Sequence, residues 1–159
     1  ISKSQEISSK IWEERDITIP LKTISEMFIL ASIVEKETSL KRERPIISGV
    51  FYNRIEKKMR LQSDPTVVYS LTGGEGSLGR ELTRRDLKIN SPFNTYRISG
   101  LPPKPICNPS KSSIYAVANP TETDFLFFVA NGKGGHNFSQ NLQQHNQFVK
   151  EYRKLKEKN

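Results

Sequence analysis

The chain has 159 residues, 35% of them apolar, enough for one compact domain with its own core. Lys and Arg outnumber Asp and Glu by 25 to 17, and the net charge of +8 favours polyanionic partners such as nucleic acid, acidic lipid or an anionic cell wall without choosing among them. A single cysteine, Cys107, and only two histidines exclude an intramolecular disulfide and a multi-cysteine zinc site, so no metal and no cofactor is expected and the chemistry falls to carboxylates, amides and hydroxyls.

Residues 2–15 read as a polar helix with Ile7, Ile11 and Trp12 on one side, broken between Asp16 and Pro20. The opening at Ile1, with no basic, apolar and small-residue order behind it, has the pattern of an excised piece. Residues 1–20 are therefore expected to be a helix and linker from an upstream region, and 21–159 the functional domain. The longest apolar stretch, Met27 to Val34, is far short of the roughly 20 residues a membrane-spanning helix needs.

From Lys22 to Thr38 the apolar positions wrap most of a helix, leaving Ser25, Ser32 and Lys36 as a polar stripe, so this helix is expected to be buried. Pro45 fits the first turn of a second helix that packs through Ile46, Ile47, Val50, Phe51 and Ile55. Asp64 reads as the cap of a short helix ended by Gly73 and Gly74, and Thr83 as the cap of another helical piece. Residues 90–109 hold five prolines and form a shaped loop, long enough to be suspected of function. Asn108 and Pro109 read as the start of a further helix. Phe125 to Ala130 and His136 to Phe138 read as a hairpin across a Gly-rich turn, with Ser139 capping a final helix. The class is α+β.

Two acids close the buried helix, Glu35 and Glu37. A carboxylic acid beside an apolar face is desolvated and stays protonated nearer neutral pH, the state in which it can deliver a proton to a glycosidic oxygen. At about 100° per residue Glu37 falls between Leu30 and Ile33, whereas Glu35 falls nearer the polar stripe. The plain alternative, an exposed acid at a helix end pairing with Lys36 or Lys41, is the commoner fate of such a residue.

Five strings decide between these readings: ASIVEKET at 31–38, GVFYNRI at 49–55, MRLQSDPTVVY at 59–69, SPFNTYRISGLPPKPI at 91–106 and FFVANGKGGHNFS at 127–139. In order and spacing they resemble the YceG-like endolytic murein transglycosylases over about residues 20–155. The resemblance implies a lysozyme-like fold with helices around a small antiparallel sheet, and a single catalytic Glu, which aligns with Glu37. It also implies that Gln62, Asn94 and Tyr96 line a glycan groove, with Thr95 between the last two, and that Asn53 is a candidate to reach substrate. Structural roles are the better expectation for Asn53 and for Arg54, the latter paired with a carboxylate such as Glu43. His136 is read as holding the hairpin.

The implied partner is the peptidoglycan strand, with cell-wall synthases nearby, and the implied place is the outer side of the bacterial cytoplasmic membrane, reached through an N-terminal anchor outside a soluble piece. Nucleic acid is set aside because the basic residues are scattered rather than interleaved with aromatics. A lysozyme-type hydrolase, with Asp64 as second carboxylate, and a non-catalytic glycan-binding module are the competing functions.

Overall fold

The computed structural model describes residues 2–159. Its elements in chain order are α1 (Lys3–Glu13), α2 (Ile24–Glu37), a 3-10 turn (Lys41–Glu43), α3 (Arg44–Glu56), α4 (Asp64–Thr72), a second 3-10 turn (Asp86–Lys88), α5 (Lys111–Ala118), β1 (Phe127–Ala130), β2 (His136–Ser139) and α6 (Leu142–Glu157). Helices with one antiparallel hairpin make this the α+β class expected.

α2 begins at a capping box in which Thr23 and Glu26 satisfy each other's backbone N–H groups. Met27, Leu30, Ala31, Ile33 and Val34 are fully enclosed. α5 lies against this helix and adds Ile114, Val117 and Ala118 to the same core, and α3 adds Ile47, Phe51 and Tyr52. α1 packs on α5 and delivers Ile11 to the same core. Ser32, assigned above to a polar stripe, is instead fully buried, because the Pro-rich loop crosses over it. Its hydroxyl donates to the Ile29 carbonyl and accepts the Ile106 N–H, while the Cys107 thiol donates to the Ser32 carbonyl.

The segment 119–126 lies outside any helix or strand, and α3 supplies donors for its carbonyls through its side chains. Asn53 Nδ2 donates to the carbonyls of Thr123 and Phe125, Arg54 Nε donates to that of Leu126, and Tyr52 Oη donates to that of Val117 just upstream. These bonds answer the requirement that buried carbonyls find donors. The hairpin then pairs Phe127 with Ser139 and Ala130 with His136. Phe128 meets Phe51 edge to face at 5.8 Å, and α6 covers the outer face with His145 stacked on Phe127.

Three cap positions differ from the sequence reading. α4 is capped by Ser63, with Asp64 already its first helical residue; α5 is capped by Ser110 and not at Asn108 and Pro109; α6 is capped by Asn141 and not by Ser139, which is buried as the last residue of β2. Arg54 does not pair with Glu43. That carboxylate accepts the backbone N–H and Nδ1 of His136 and the Thr38 hydroxyl, so His136 fastens the hairpin to the start of α3.

Gly49 packs its bare Cα against this strap. A Cβ there would overlap the carbonyl oxygen of Thr121, a backbone atom that cannot swing aside. Gly49→Ala gains about 1 kcal/mol of helix propensity, but the overlap is expected to cost more, for a net loss of roughly 1–3 kcal/mol. Thermal unfolding followed by circular dichroism checks this; an unchanged or raised midpoint would mean that the strap yields at no cost.

Candidate active site

The C-terminal end of α2 carries two acids with opposite surroundings. Glu35 turns toward α5. Its Oε2 accepts the N–H and hydroxyl of Ser110 and the hydroxyl of Ser113, and its Oε1 accepts Arg44 at 3.4 Å. Burial works to raise its pKa, but the hydroxyls and N–H of Ser110 and Ser113, together with the Arg44 charge, outweigh burial and leave it below the usual carboxylate value. Glu35 is a charged tie between α2, α3 and α5.

Glu37, the last residue of α2, faces the start of α4. Loss of water around the carboxyl is the largest influence on it and raises its pKa; a hydrogen bond from Ser63 pulls the other way, and the neighbouring Asp64 charge raises it further, for a value of about 7. A carboxyl with such a value is populated in both protonation states near neutral pH, which general acid–base catalysis requires.

A polar knot beneath the surface fixes the partners of Glu37. Ser63 N–H donates to Thr95 Oγ1 at 2.8 Å, Gln62 N–H donates to the Thr95 carbonyl at 3.1 Å, and Thr66 Oγ1 donates to the Ser63 carbonyl at 2.6 Å. Thr66 and Thr95 are fully enclosed and Ser63 is 1% exposed. The knot brings the loop 90–109 to the start of α4 and leaves the Ser63 hydroxyl donating to Glu37 Oε1 at 2.6 Å.

The residues proposed from sequence divide into those gathered here and those placed elsewhere. Gln62 is exposed at φ +51, a left-handed backbone that costs a non-glycine residue about 1 kcal/mol. Its neighbours in the knot hold it there, next to Ser63. Tyr96 is half-buried, and its hydroxyl donates to Asp64. Burial first, then this bond and the charges of Asp64 and Glu37, raise the Tyr96 pKa, so its hydroxyl stays a neutral donor.

Asn94 departs from its expected groove-lining place. It is fully buried, its Nδ2 donating to the carbonyls of Leu87 and Ile89 and its Oδ1 accepting the Tyr96 N–H, so it shapes the loop that presents Tyr96. Asn53 is likewise not joined to Glu37: it lines a separate concavity with Asp16, Tyr52, Glu56 and Thr121. Another concavity, between Lys41, Pro45, Lys111 and Tyr115, also stands apart from the Glu37 cluster. Ser63 and Thr66 were not singled out from sequence; the only local signal was a serine directly before Asp-Pro, in a cap position. Among the described residues no cluster of His, Cys, Asp and Glu suits a metal ion, and no helix is long and apolar enough to cross a membrane.

A sequence profile of the YceG-like family matches residues 1–151. An endolytic murein transglycosylase of Bacillus subtilis is 40% identical over 130 residues, which make up 82% of this chain and 35% of that protein. One of Streptococcus pneumoniae is 36% identical over 136 residues, 82% of this chain and 24% of that protein. The chain thus spans about a third or less of these relatives. A crystal structure of a YceG-like protein from Listeria monocytogenes superposes with a TM-score of 0.72 at 38% identity, covering 92% of this chain and 43% of that one.

The two acids should respond oppositely to removal of charge. Glu35 titrates below its unfolded value of 4.5, so its stabilisation is present above that pH and is lost as pH falls through the folded pKa. Glu35→Gln is expected to cost about 1–3 kcal/mol at pH 7 by leaving Arg44 unpaired, and less at pH 3. For Glu37 the folded value of about 7 lies above the unfolded 4.5, so its penalty is absent below pH 4.5 and complete above pH 7. Glu37→Gln should therefore stabilise the fold at pH 8, by on the order of 3 kcal/mol, and leave it unchanged at pH 4. Urea unfolding at the stated pH values reads both; a loss of stability at pH 8 in Glu37→Gln would refute the assignment of the strained carboxyl.

Proposed function

The chain belongs to the YceG-like family, and from that premise we propose that it is the catalytic part of an endolytic lytic transglycosylase that cleaves the MurNAc–GlcNAc β-1,4 bond of peptidoglycan with Glu37 as its acid and base. The observation carrying this reading is the carboxyl of Glu37, held by Ser63 at the join of α2, α4 and the Pro-rich loop with a pKa of about 7. The names of the relatives, endolytic murein transglycosylases, support the substrate class.

The reaction needs one such group used twice. Protonated Glu37 gives its proton to the glycosidic oxygen as the bond from that oxygen to C1 of the muramic acid breaks, and positive charge develops at C1 and the ring oxygen. The C6 hydroxyl of the same sugar then bonds to C1 and yields its proton to the Glu37 carboxylate, restoring the acid. The products are a new GlcNAc hydroxyl end and a 1,6-anhydroMurNAc end, and no water is consumed. Ring closure within one sugar draws on proximity, which replaces the second carboxylate that a hydrolase uses to activate water or to attack. Gln62 and Tyr96, flanking the acid, are the groups proposed to hold the glycan.

Cutting strands internally, on the outer side of the cytoplasmic membrane and beside the synthases that extend them, would end glycan elongation; membrane attachment through an upstream segment is part of this proposal. A second reading draws on one observation: Asp64 lies close enough to Glu37 to influence its charge. Were Asp64 to activate water, the protein would be a lysozyme-type hydrolase.

Mass spectrometry of purified glycan strands separates the two. Anhydromuramyl ends are expected with the wild type and a loss of at least about 1000-fold in Glu37→Gln, in keeping with removal of a group that acts only in the transition state. Reducing ends, heavier by one water, would establish the hydrolase, and full turnover by Glu37→Gln would remove Glu37 from the mechanism.

A further inference from the structure

Ser63 occupies the N-cap of α4, yet its side chain makes no capping bond. A serine at this position ordinarily accepts a hydrogen bond from the backbone N–H two or three residues on. Here the N–H of Thr66 goes to the Ser63 carbonyl instead, and the hydroxyl points across to Glu37 Oε1 at 2.6 Å, its single hydrogen-bond partner among the described residues. No described residue engages the other oxygen, Oε2.

The hydroxyl has little freedom to do anything else. The Ser63 backbone is fixed at both ends, its N–H on Thr95 Oγ1 and its carbonyl accepting Thr66 Oγ1, and the residue is 1% exposed. Thr66 of α4 and Thr95 of the loop 90–109 are thereby arranged to place one hydroxyl. A carboxylic acid has two oxygens, and one proton lies on one of them. An oxygen already accepting a short O–H bond is the poorer place for it, so the proton goes to the other.

We infer that Ser63 is a positioning residue for the acid: by occupying Oε1 of Glu37 it assigns the transferable proton to Oε2, the oxygen left open for substrate. This deepens the proposed function and rests on it for the identity of the reaction, while the contact itself belongs to the structure. The same bond serves the second half of the cycle, because it steadies the carboxylate that must receive the C6 hydroxyl proton. The groups facing Glu37 are then Ser63 and the charge of Asp64 on α4, and, from the loop, the Tyr96 hydroxyl that engages Asp64.

The test uses Ser63→Ala and Ser63→Thr with two readouts, one of which needs no activity. The Glu37 carboxyl is followed by carbon-detected NMR titration, with Glu37→Gln identifying its signal, and cleavage of glycan strands is measured against pH. Loss of the hydroxyl should raise the Glu37 titration midpoint by roughly one to two pH units, the equivalent of a hydrogen bond to a charged group. The alkaline limb of kcat/KM should move up with it, and kcat should fall about 10-fold while KM changes little. Ser63→Thr, which keeps a hydroxyl, should restore all three. An unmoved midpoint in folded Ser63→Ala, or a Ser63→Thr that behaves like the alanine variant, would overturn the inference. Absence of cleavage by the wild type would count against the proposed reaction, and the titration would still decide whether Ser63 holds the acid.

Discussion

A helix that is apolar over most of its circumference has to be enclosed on every side, and the enclosure of α2 dictates where everything else lies. α3 and α5 take two of its faces, α1 reaches the same core over α5, and the Pro-rich loop closes the remaining side across Ser32. Such a helix can expose polar groups only where it ends. Its last turn therefore carries Glu35 and Glu37 out of the core at the boundary between protein and solvent, where small differences in surroundings decide a carboxyl's charge. Two residues apart on a helix, the pair cannot share an environment. One meets hydroxyls, an N–H and a guanidinium, and the other meets a single hydroxyl and a like charge.

The irregular segments are organised by a second constraint, that buried backbone polar groups require partners. A loop with five prolines lacks the donors to build a ladder of its own. Asn94 bonds it to the carbonyls of Leu87 and Ile89 just upstream, Thr95 bonds it to the start of α4, and Ser32 bonds its far end to α2. On the other side, Asn53 and Arg54 do the same for the strap before β1. Asn94, which the family resemblance placed in a glycan groove, is committed to this internal work, and its Oδ1 on the Tyr96 N–H shapes the loop that presents Tyr96 to Asp64.

What could be read in advance follows from range. The buried circumference of α2, the hairpin and the α+β class rest on periodicity and local turn chemistry, which are written within a few residues of each other, whereas the preference for Glu37 over Glu35 rested on the family resemblance added to a slight difference in wheel position. Caps were harder, since Ser, Thr, Asp and Asn are nearly equivalent as N-caps and candidates stood close together at 63–64, 108–110 and 139–141. Backbone conformation chose among them. Ser63, extended at φ −92 and ψ 118, took the cap from Asp64. The bond from Arg54 to the Leu126 carbonyl and the burial of Ser32 depended on chain segments 70 or more positions away, and no local rule carries that information.

The site then illustrates why local consistency fails where chemistry is done. Gln62 adopts a backbone that disfavours any side chain, Ser63 withholds its hydroxyl from the cap it occupies, and Glu37 holds a half-buried carboxyl beside another acid. Each departure costs on the order of 1 kcal/mol or more, and together they would be unfavourable on an isolated segment. They persist because the knot of Ser63, Thr66 and Thr95 is itself fully satisfied and buried. Relaxing any one of the three departures would require opening bonds that have no water to replace them. Strain at the surface is thus fixed by completeness beneath it, and the acid's unfavourable setting becomes a property of the fold rather than of Glu37 alone.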